Sequence, residues 1–190
     1  MMDLWRLPTA LPVGGREYPI HADFRDILEI FSYFQDETLP EFIRWEIGLT
    51  LFYEGAIPEE HRQEAMEQMS RFLRCGVREK AGPRLIDWQS DAPMIVAEIN
   101  RVAGQEVRAM PFVHWWTFLS WFHAIGQGQL ATVVAIRDKL RRGKKLDEGE
   151  RAFYRQNKSL VQLPKQYTAE ELAQQQRLLD LLDGKNHHVT

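Results

Sequence analysis

The sequence predicts a mainly α-helical fold, a multi-helix globular domain of about seven or eight helices with a short β-hairpin at its N-terminus. Through most of the chain, apolar residues recur every three or four positions, the spacing of a helix face that packs on a core. Residues that begin or end helices separate these stretches at short intervals. The alternation typical of strands is confined to residues 10–20. Helix should therefore greatly exceed its average share of about one third.

The hairpin is indicated by two short alternating runs on either side of Gly14-Gly15. Glycines accept the positive φ angles of a tight hairpin turn. Pro12 and Pro19 favour edge strands or a very short ribbon, because proline cannot donate to a strand ladder. The predicted division has three parts: a hairpin over 1–22, a helical domain over 23–184 and a frayed tail over 185–190.

Start and stop residues place the helices in order. Asp23, Ser90 and Asp147 each suit the N-cap position of a helix. Thr168 and Glu171 have the spacing of a capping box, in which each side chain binds the other residue's backbone N–H. The predicted helices cover residues 24–35, 41–53, 58–74, 92–103, 111–125, 129–141, 148–159 and 168–184.

The helix over 111–125 is apolar almost all round. One face carries Phe112, Trp115, Trp116, Leu119 and Phe122 at helical spacing. A helix of this kind is either central to the core or half-covered by a partner. We expect Trp115, Trp116, Leu119 and Phe122 to be mostly buried, in contact with the first two helices through Phe31, Trp45 or Phe52. Phe118 and Trp121 lie on another side and are candidates for a partner surface.

Composition fits one soluble domain. The chain has 190 residues, 44% of them apolar and 27% charged, and its one cysteine, Cys75, cannot form an internal disulfide. A reducing cytoplasm is therefore expected. No apolar run approaches the length of a membrane span, so a membrane is not an expected partner.

No set of His, Cys, Asp or Glu residues in the sequence has the spacing of a catalytic or metal-binding site. His114 and His123 are too far apart on one helix to bind a metal on adjacent turns, and Cys75 has no neighbouring base. Pairs of acids such as Asp87 and Asp91 have no accompanying nucleophile or glycine-rich loop. We therefore expect no enzymatic activity, no catalytic residues, no cofactor and no metal.

Charge is unevenly distributed. Residues 1–60 hold four Lys or Arg against twelve Asp or Glu, whereas residues 137–158 hold nine against four. Such asymmetry suits an electrostatic partner or solvated faces of opposite sign. The basic candidates for a partner surface are Arg141, Arg142, Lys144 and Lys145. If Lys139 joined them in one continuous positive face, nucleic acid would become the alternative partner.

Several short motifs, weak alone, together suggest a family. They are Tyr18-Pro19-Ile20, Asp23-Phe24-Arg25, His114-Trp115-Trp116, the run VVAIR at 133–137, Gly143-Lys144-Lys145-Leu146, Glu150, Phe153-Tyr154-Arg155 and Asn157-Lys158. Residues 55–85 carry none of them. In the order of these motifs the chain resembles small proteins of tailed phages and prophages of Gram-positive bacteria, catalogued as bacteriophage gene product fifteen.

The resemblance implies a role in tail assembly, since members lie beside genes for the tail tube and tape-measure proteins. It implies a chaperone-like protein that binds one of those two proteins, with self-association also open. The alternative is a small nucleic-acid-binding accessory protein of a phage or prophage, although nucleic acid is the less expected partner. The implied location is the cytoplasm of the bacterial host, with the virion as a second location.

Overall fold

The computed structural model describes residues 5–76 and 82–186 and is mainly helical, as the sequence predicts. Helix accounts for 59% of the structure, well above the average of about one third. The described elements are β1 (Ala10–Val13), β2 (Arg16–Pro19), α1 (Phe24–Gln35), α2 (Glu41–Phe52), α3 (Arg62–Leu73), α4 (Ala92–Ala103), α5 (Trp115–His123), α6 (Gln129–Arg141), α7 (Glu148–Gln156), α8 (Lys158–Val161) and α9 (Ala169–Asn186). Single 3-10 turns cover Glu59–His61 and Val107–Ala109.

The predicted hairpin is confirmed. β1 and β2 pair antiparallel, with Val13 opposite Arg16. Both turn glycines, Gly14 and Gly15, have positive φ, as a two-residue hairpin turn requires. The turn lies on the start of α3, where the Gly14 N–H donates to the Glu64 carboxylate at 2.9 Å. Val13 is fully buried, so the hairpin is part of the core.

The N-termini of α1 and α5 are joined by hydrogen bonds through Asp23. Its carboxylate accepts from the Arg25 N–H at 2.9 Å, which confirms the predicted N-cap. The second carboxylate oxygen accepts from the Val113 N–H at 2.9 Å. The Trp115 N–H in turn donates to the carbonyl of Ala22 at 2.7 Å. These bonds fix the start of the aromatic helix against the start of α1.

The prediction for the aromatic helix is confirmed in part. Trp115 and Trp116 are buried, and Trp115 meets Phe31 of α1 with ring centroids 5.5 Å apart. Trp116 packs instead on Phe72 of α3, at 5.7 Å. Leu119 and Phe122 also pack against the core, although at its edge and less completely buried than the two tryptophans.

Phe112 also departs from the predicted core stripe. Helix α5 begins at Trp115 rather than near residue 111. Phe112 therefore lies in the preceding loop and not on the helix face, and it is 54% exposed.

The two buried tryptophans hold the C-terminal end of α3. The indole N–H of Trp115 donates to the carbonyl of Leu73, and that of Trp116 to the carbonyl of Phe72, each at 2.9 Å. The last carbonyls of a helix have no partner within the helix. Here side chains of α5 supply those partners.

A buried ion pair joins α4, α6 and α8. The Arg137 guanidinium forms a bidentate contact with Asp91, at 2.6 and 2.9 Å. It also donates to the carbonyls of Leu85, Leu160 and Val161. The two side chains are 4% and 2% exposed. A buried charge needs partners of this kind to offset the loss of hydration.

Two of the other predicted N-caps are confirmed and one is wrong. Thr168 and Glu171 cap α9 reciprocally, and Asp147 caps α7, both as expected. Glu150 completes a capping box with Asp147 that was not part of the prediction. Ser90 does not cap α4, because its hydroxyl donates to Asp87 and Asp91 precedes the helix.

The remaining differences concern lengths. The predicted helix over 58–74 begins later, at Arg62, after a 3-10 turn. The predicted helix over 148–159 is divided at Asn157 into α7 and α8. The last helix continues past Gly184 to Asn186, so residues 185 and 186 are helical rather than frayed. Residues 187–190 of the predicted tail lie outside the described residues.

The segment that leads into α9 is hydrogen-bonded to the end of α1. The Gln166 side-chain amide donates to the carbonyl of Gln35, at 2.9 Å. The side chains of α9 that the structure describes, those of residues 169–177, 179 and 180, are exposed. Among the described residues no helix is both long and apolar enough to cross a membrane.

Candidate protein-binding surface

The predicted basic residues form an exposed turn at the end of α6. We call residues 140–145 the basic turn; Arg141, Arg142, Lys144 and Lys145 in it are all exposed. Gly143 has a φ of +64°, and the Lys144 N–H donates to the carbonyl of Lys139 at 2.8 Å. This pattern of a left-handed glycine with a bond back to the last helical turn ends helices sharply. The cations therefore project from a fixed backbone.

Not every cation of the basic turn is free for a partner. Arg141 and Arg142 share the carboxylate of Asp138, at 3.0 and 2.9 Å. The hydrogen bond from Arg141, with a smaller contribution from Arg142, lowers the pKa of Asp138. Within the described part of the chain, Lys144 and Lys145 have no ion-pair partner. Lys139 binds Glu150 at 2.5 Å and so does not join a continuous positive face.

The two aromatic candidates are placed differently. Phe118 is 1% exposed and stacks on Phe24 of α1, with ring centroids 4.4 Å apart. Its assignment to a partner surface is therefore wrong: α1 packs on the side of α5 that was expected to face outward. Trp121 is half-buried and packs on the edge of the core. It presents only part of its ring to a partner.

An open groove between α2 and α3 was not foreseen. It has a volume of about 670 Å³ and its apolar floor is formed by Phe42, Trp45 and Met66. Phe42 is 66% exposed, and the other two are half-buried. We call it the α2–α3 groove; its lining residues are Glu41, Phe42, Trp45, Glu46, Glu59, Arg62, Gln63 and Met66. A second hollow of about 440 Å³, between α1, α2 and α3, shares Glu41 and Trp45 with it.

The floor is exposed because the buried residues of α2 all lie in its C-terminal half. Gly48, Leu49 and Phe52 are its buried residues. At Gly48 an added Cβ would lie 2.9 Å from the ring of Phe34, so the glycine allows α1 to approach closely there. In the first half, Trp45 packs on Phe34 with ring centroids 4.9 Å apart, whereas Phe42 is left largely exposed. The sequence carries a signal for this exposure, because the apolar residues of α2 are spread around the whole helix and one packed face cannot cover them all.

The rim of the α2–α3 groove is predominantly acidic. Its lining includes three carboxylates, those of Glu41, Glu46 and Glu59, and one guanidinium, that of Arg62. Arg62 contacts Glu46 and also binds Glu59 at 2.9 Å. Glu41 has no ion-pair partner among the described residues. The groove thus combines an apolar floor with excess negative charge.

Burial shifts the pKa of two side chains weighed in the sequence analysis, Cys75 and His114. Burial raises the pKa of the Cys75 thiol to about 11, so at neutral pH it is protonated and a poor nucleophile. Burial lowers the pKa of His114, opposed by its hydrogen bond to the Pro8 carbonyl. Its Nδ1 accepts the Trp116 N–H at 3.1 Å, which makes it the N-cap of α5. Among the described residues, no cluster of His, Cys, Asp or Glu suits a metal ion.

Comparison with known proteins gives one match. No curated protein and no solved structure matches the chain. The family model described as Bacteriophage Gp15 protein matches residues 5–163. The match covers the hairpin, α1–α8, the α2–α3 groove and the basic turn, and it ends before α9. Since it extends over far more than half of the sequence, the chain belongs to the Bacteriophage Gp15 protein family.

Proposed function

We propose that this chain is a phage tail assembly protein that acts by binding other phage proteins, without catalysis and without a cofactor. Its client would be the tape-measure or tail tube protein, which it would keep soluble in the host cytoplasm until assembly. Membership of a phage protein family supports the phage setting. The observation that carries the binding role is Phe42, which lies largely exposed beside Trp45 in the α2–α3 groove.

The exposed apolar floor of this groove suits a protein client. Fully burying a phenylalanine side chain contributes about 1.5–3 kcal/mol, so leaving Phe42 in water forgoes stability that a partner could recover. Aromatic side chains beside a hollow are the usual centres of binding energy at protein interfaces. A groove between two helices also suits an amphipathic helical segment, which lays its apolar face between them.

The test is co-expression of the chain with the tape-measure or tail tube protein encoded by the same phage genome, followed by pull-down. Phe42→Ser should reduce client recovery by roughly tenfold or more, the loss expected for a central aromatic contact. Phe112→Ser is the matched control, because Phe112 is also exposed but does not line the groove. Recovery of both clients unchanged by Phe42→Ser, or recovery of neither by the wild type, would overturn the proposal.

A second candidate function, nucleic-acid binding, is favoured by one observation, the exposed Lys144 and Lys145 of the basic turn. Phosphate contacts of this kind give affinity that falls steeply with salt. Fluorescence anisotropy with labelled duplex DNA and RNA tests it. Tight binding that Lys144→Ser/Lys145→Ser abolishes, together with no client recovery, would establish this candidate in place of the first.

A further inference from the structure

We propose that the α2–α3 groove also receives the basic turn of a second copy of this chain, in a head-to-tail contact. This inference rests on the proposed function, because it assigns an occupant to the same groove. It goes beyond it by naming both contact surfaces and the order in which copies join.

Charge complementarity is the first argument. The groove rim sets three carboxylates against one guanidinium, and Glu41 has no ion-pair partner among the described residues. The basic turn presents Lys144 and Lys145, likewise unpaired within the described chain, beside Arg141 and Arg142. Opposite charges on two surfaces steer encounter and fix orientation. Each surface of one copy therefore attracts the other surface of the next.

Apolar complementarity is the second argument. Leu140, at the base of the basic turn, is 42% exposed. The groove offers Phe42, Trp45 and Met66 as its apolar floor. An apolar residue beside cations would then meet an apolar floor beside carboxylates, the arrangement of a buried centre with a polar rim at protein interfaces.

The turn is also fixed in advance. The bonds from Gly143 and Lys144 back to Leu140 and Lys139, at 3.0 and 2.8 Å, hold its backbone in one conformation. A preorganised element loses less entropy on binding. Because the contact is small and largely polar, we expect a weak association that depends on salt.

The geometry of the contact determines the kind of assembly. The groove lies on α2 and α3, whereas the basic turn follows α6, so the two surfaces differ. A contact between different surfaces is heterologous and gives rings or open chains, not a closed twofold dimer. Species larger than dimers should therefore appear as concentration rises.

The test is sedimentation velocity on the purified full chain over a range of about 1–300 µM, where weak contacts of this size associate. The wild type should form dimers and larger species at about 50 mM salt and revert towards monomer at about 0.5 M, where the Debye length is only a few ångströms. Monomer at every concentration in low salt would overturn the proposal.

Charge exchange supplies the decisive arm. A turn variant, Lys144→Glu/Lys145→Glu, and a groove variant, Glu41→Lys/Glu59→Lys, should each weaken self-association at least about tenfold. Mixing them should restore association, because the unaltered turn of the groove variant fits the unaltered groove of the turn variant, and the acidic turn of the latter also faces the basic groove of the former. Arg155→Glu/Lys158→Glu carries the same charge change as the turn variant at exposed positions outside the basic turn. It should associate like the wild type.

The outcomes separate the two proposals. Variants that associate normally, or a mixture that fails to regain association when both proteins are folded by circular dichroism, would overturn the head-to-tail contact. If the client is still recovered through Phe42 in that case, the proposed function stands without it. If the wild type self-associates as expected but recovers neither client, the proposed function is overturned and the head-to-tail contact stands.

Discussion

Replacing Arg137 by methionine should strongly destabilise the fold. The substitution keeps much of the side-chain length but removes the charge and the donors, so Asp91 remains as a buried carboxylate. That carboxylate would retain one partner in the described structure, the Asp87 N–H at 2.9 Å. The carbonyls of Leu85, Leu160 and Val161 would also lose their donor.

The magnitude follows from the burial of the pair. Both side chains are almost fully buried, at 4% and 2% exposure, so solvent cannot replace the lost contacts. Removing one partner of such a pair costs about 3–5 kcal/mol. At roughly 2–4 °C per kcal/mol for a domain of this size, the melting temperature should fall by roughly 6–20 °C. The matched control is Arg101→Met, because Arg101 is itself 57% exposed where it pairs with Glu98, so removing it should cost much less than removing a buried partner.

Urea unfolding of a double-mutant cycle measures the coupling. Asp91→Asn removes the charge of the partner with little change of shape. The double variant Arg137→Met/Asp91→Asn should be more stable than the sum of the single changes implies, by about 1.5 kcal/mol or more. Single costs that add within about 0.5 kcal/mol would show that the pair is not coupled. An Arg137→Met cost no larger than that of Arg101→Met would refute the reasoning from burial.

Two further predictions concern the aromatic helix. Trp116→Ala should lower the free energy of unfolding by about 3–5 kcal/mol, because it removes a buried ring and the donor to the Phe72 carbonyl; an unchanged denaturation midpoint would contradict it. His114, whose pKa is lowered by burial from an ordinary 6.5, binds a proton more readily in the unfolded state. Stability should therefore fall as pH drops below about 6.5, until the pH reaches the folded-state pKa. The pH dependence between 7.5 and 5 should be steeper for the wild type than for His114→Gln; equal slopes would show that His114 does not contribute.

Local signals were strong where a residue acts on its own neighbours in the chain. Asp23, Asp147 and the Thr168–Glu171 pair cap helices as expected, since a cap depends only on residues within a few positions. Gly14-Gly15 made the hairpin turn for the same reason. Ser90 does not act as a cap, because its hydroxyl donates a hydrogen bond to Asp87, which is also close in sequence.

For the candidate site, the sequence indicated which residues share a face but not which faces are covered. Phe118 and Trp121 are one helical turn apart, yet α1 covers the first and leaves the second at the core edge. Arg137 and Arg141 are also one turn apart, yet Arg137 is buried against Asp91 while Arg141 is exposed. In each pair the difference comes from a neighbour distant in the chain.

The sequence alone determined the helical class, the hairpin, most helix ends and the phage family, because these depend on local spacing and on residue order. Only the tertiary structure decided that the hairpin lies on α3, that Phe42 faces an open groove and that Phe118 is buried. Helical periodicity sets the angles between side chains on one helix. Burial also depends on which other helix packs there, and that contact joins residues far apart in the chain.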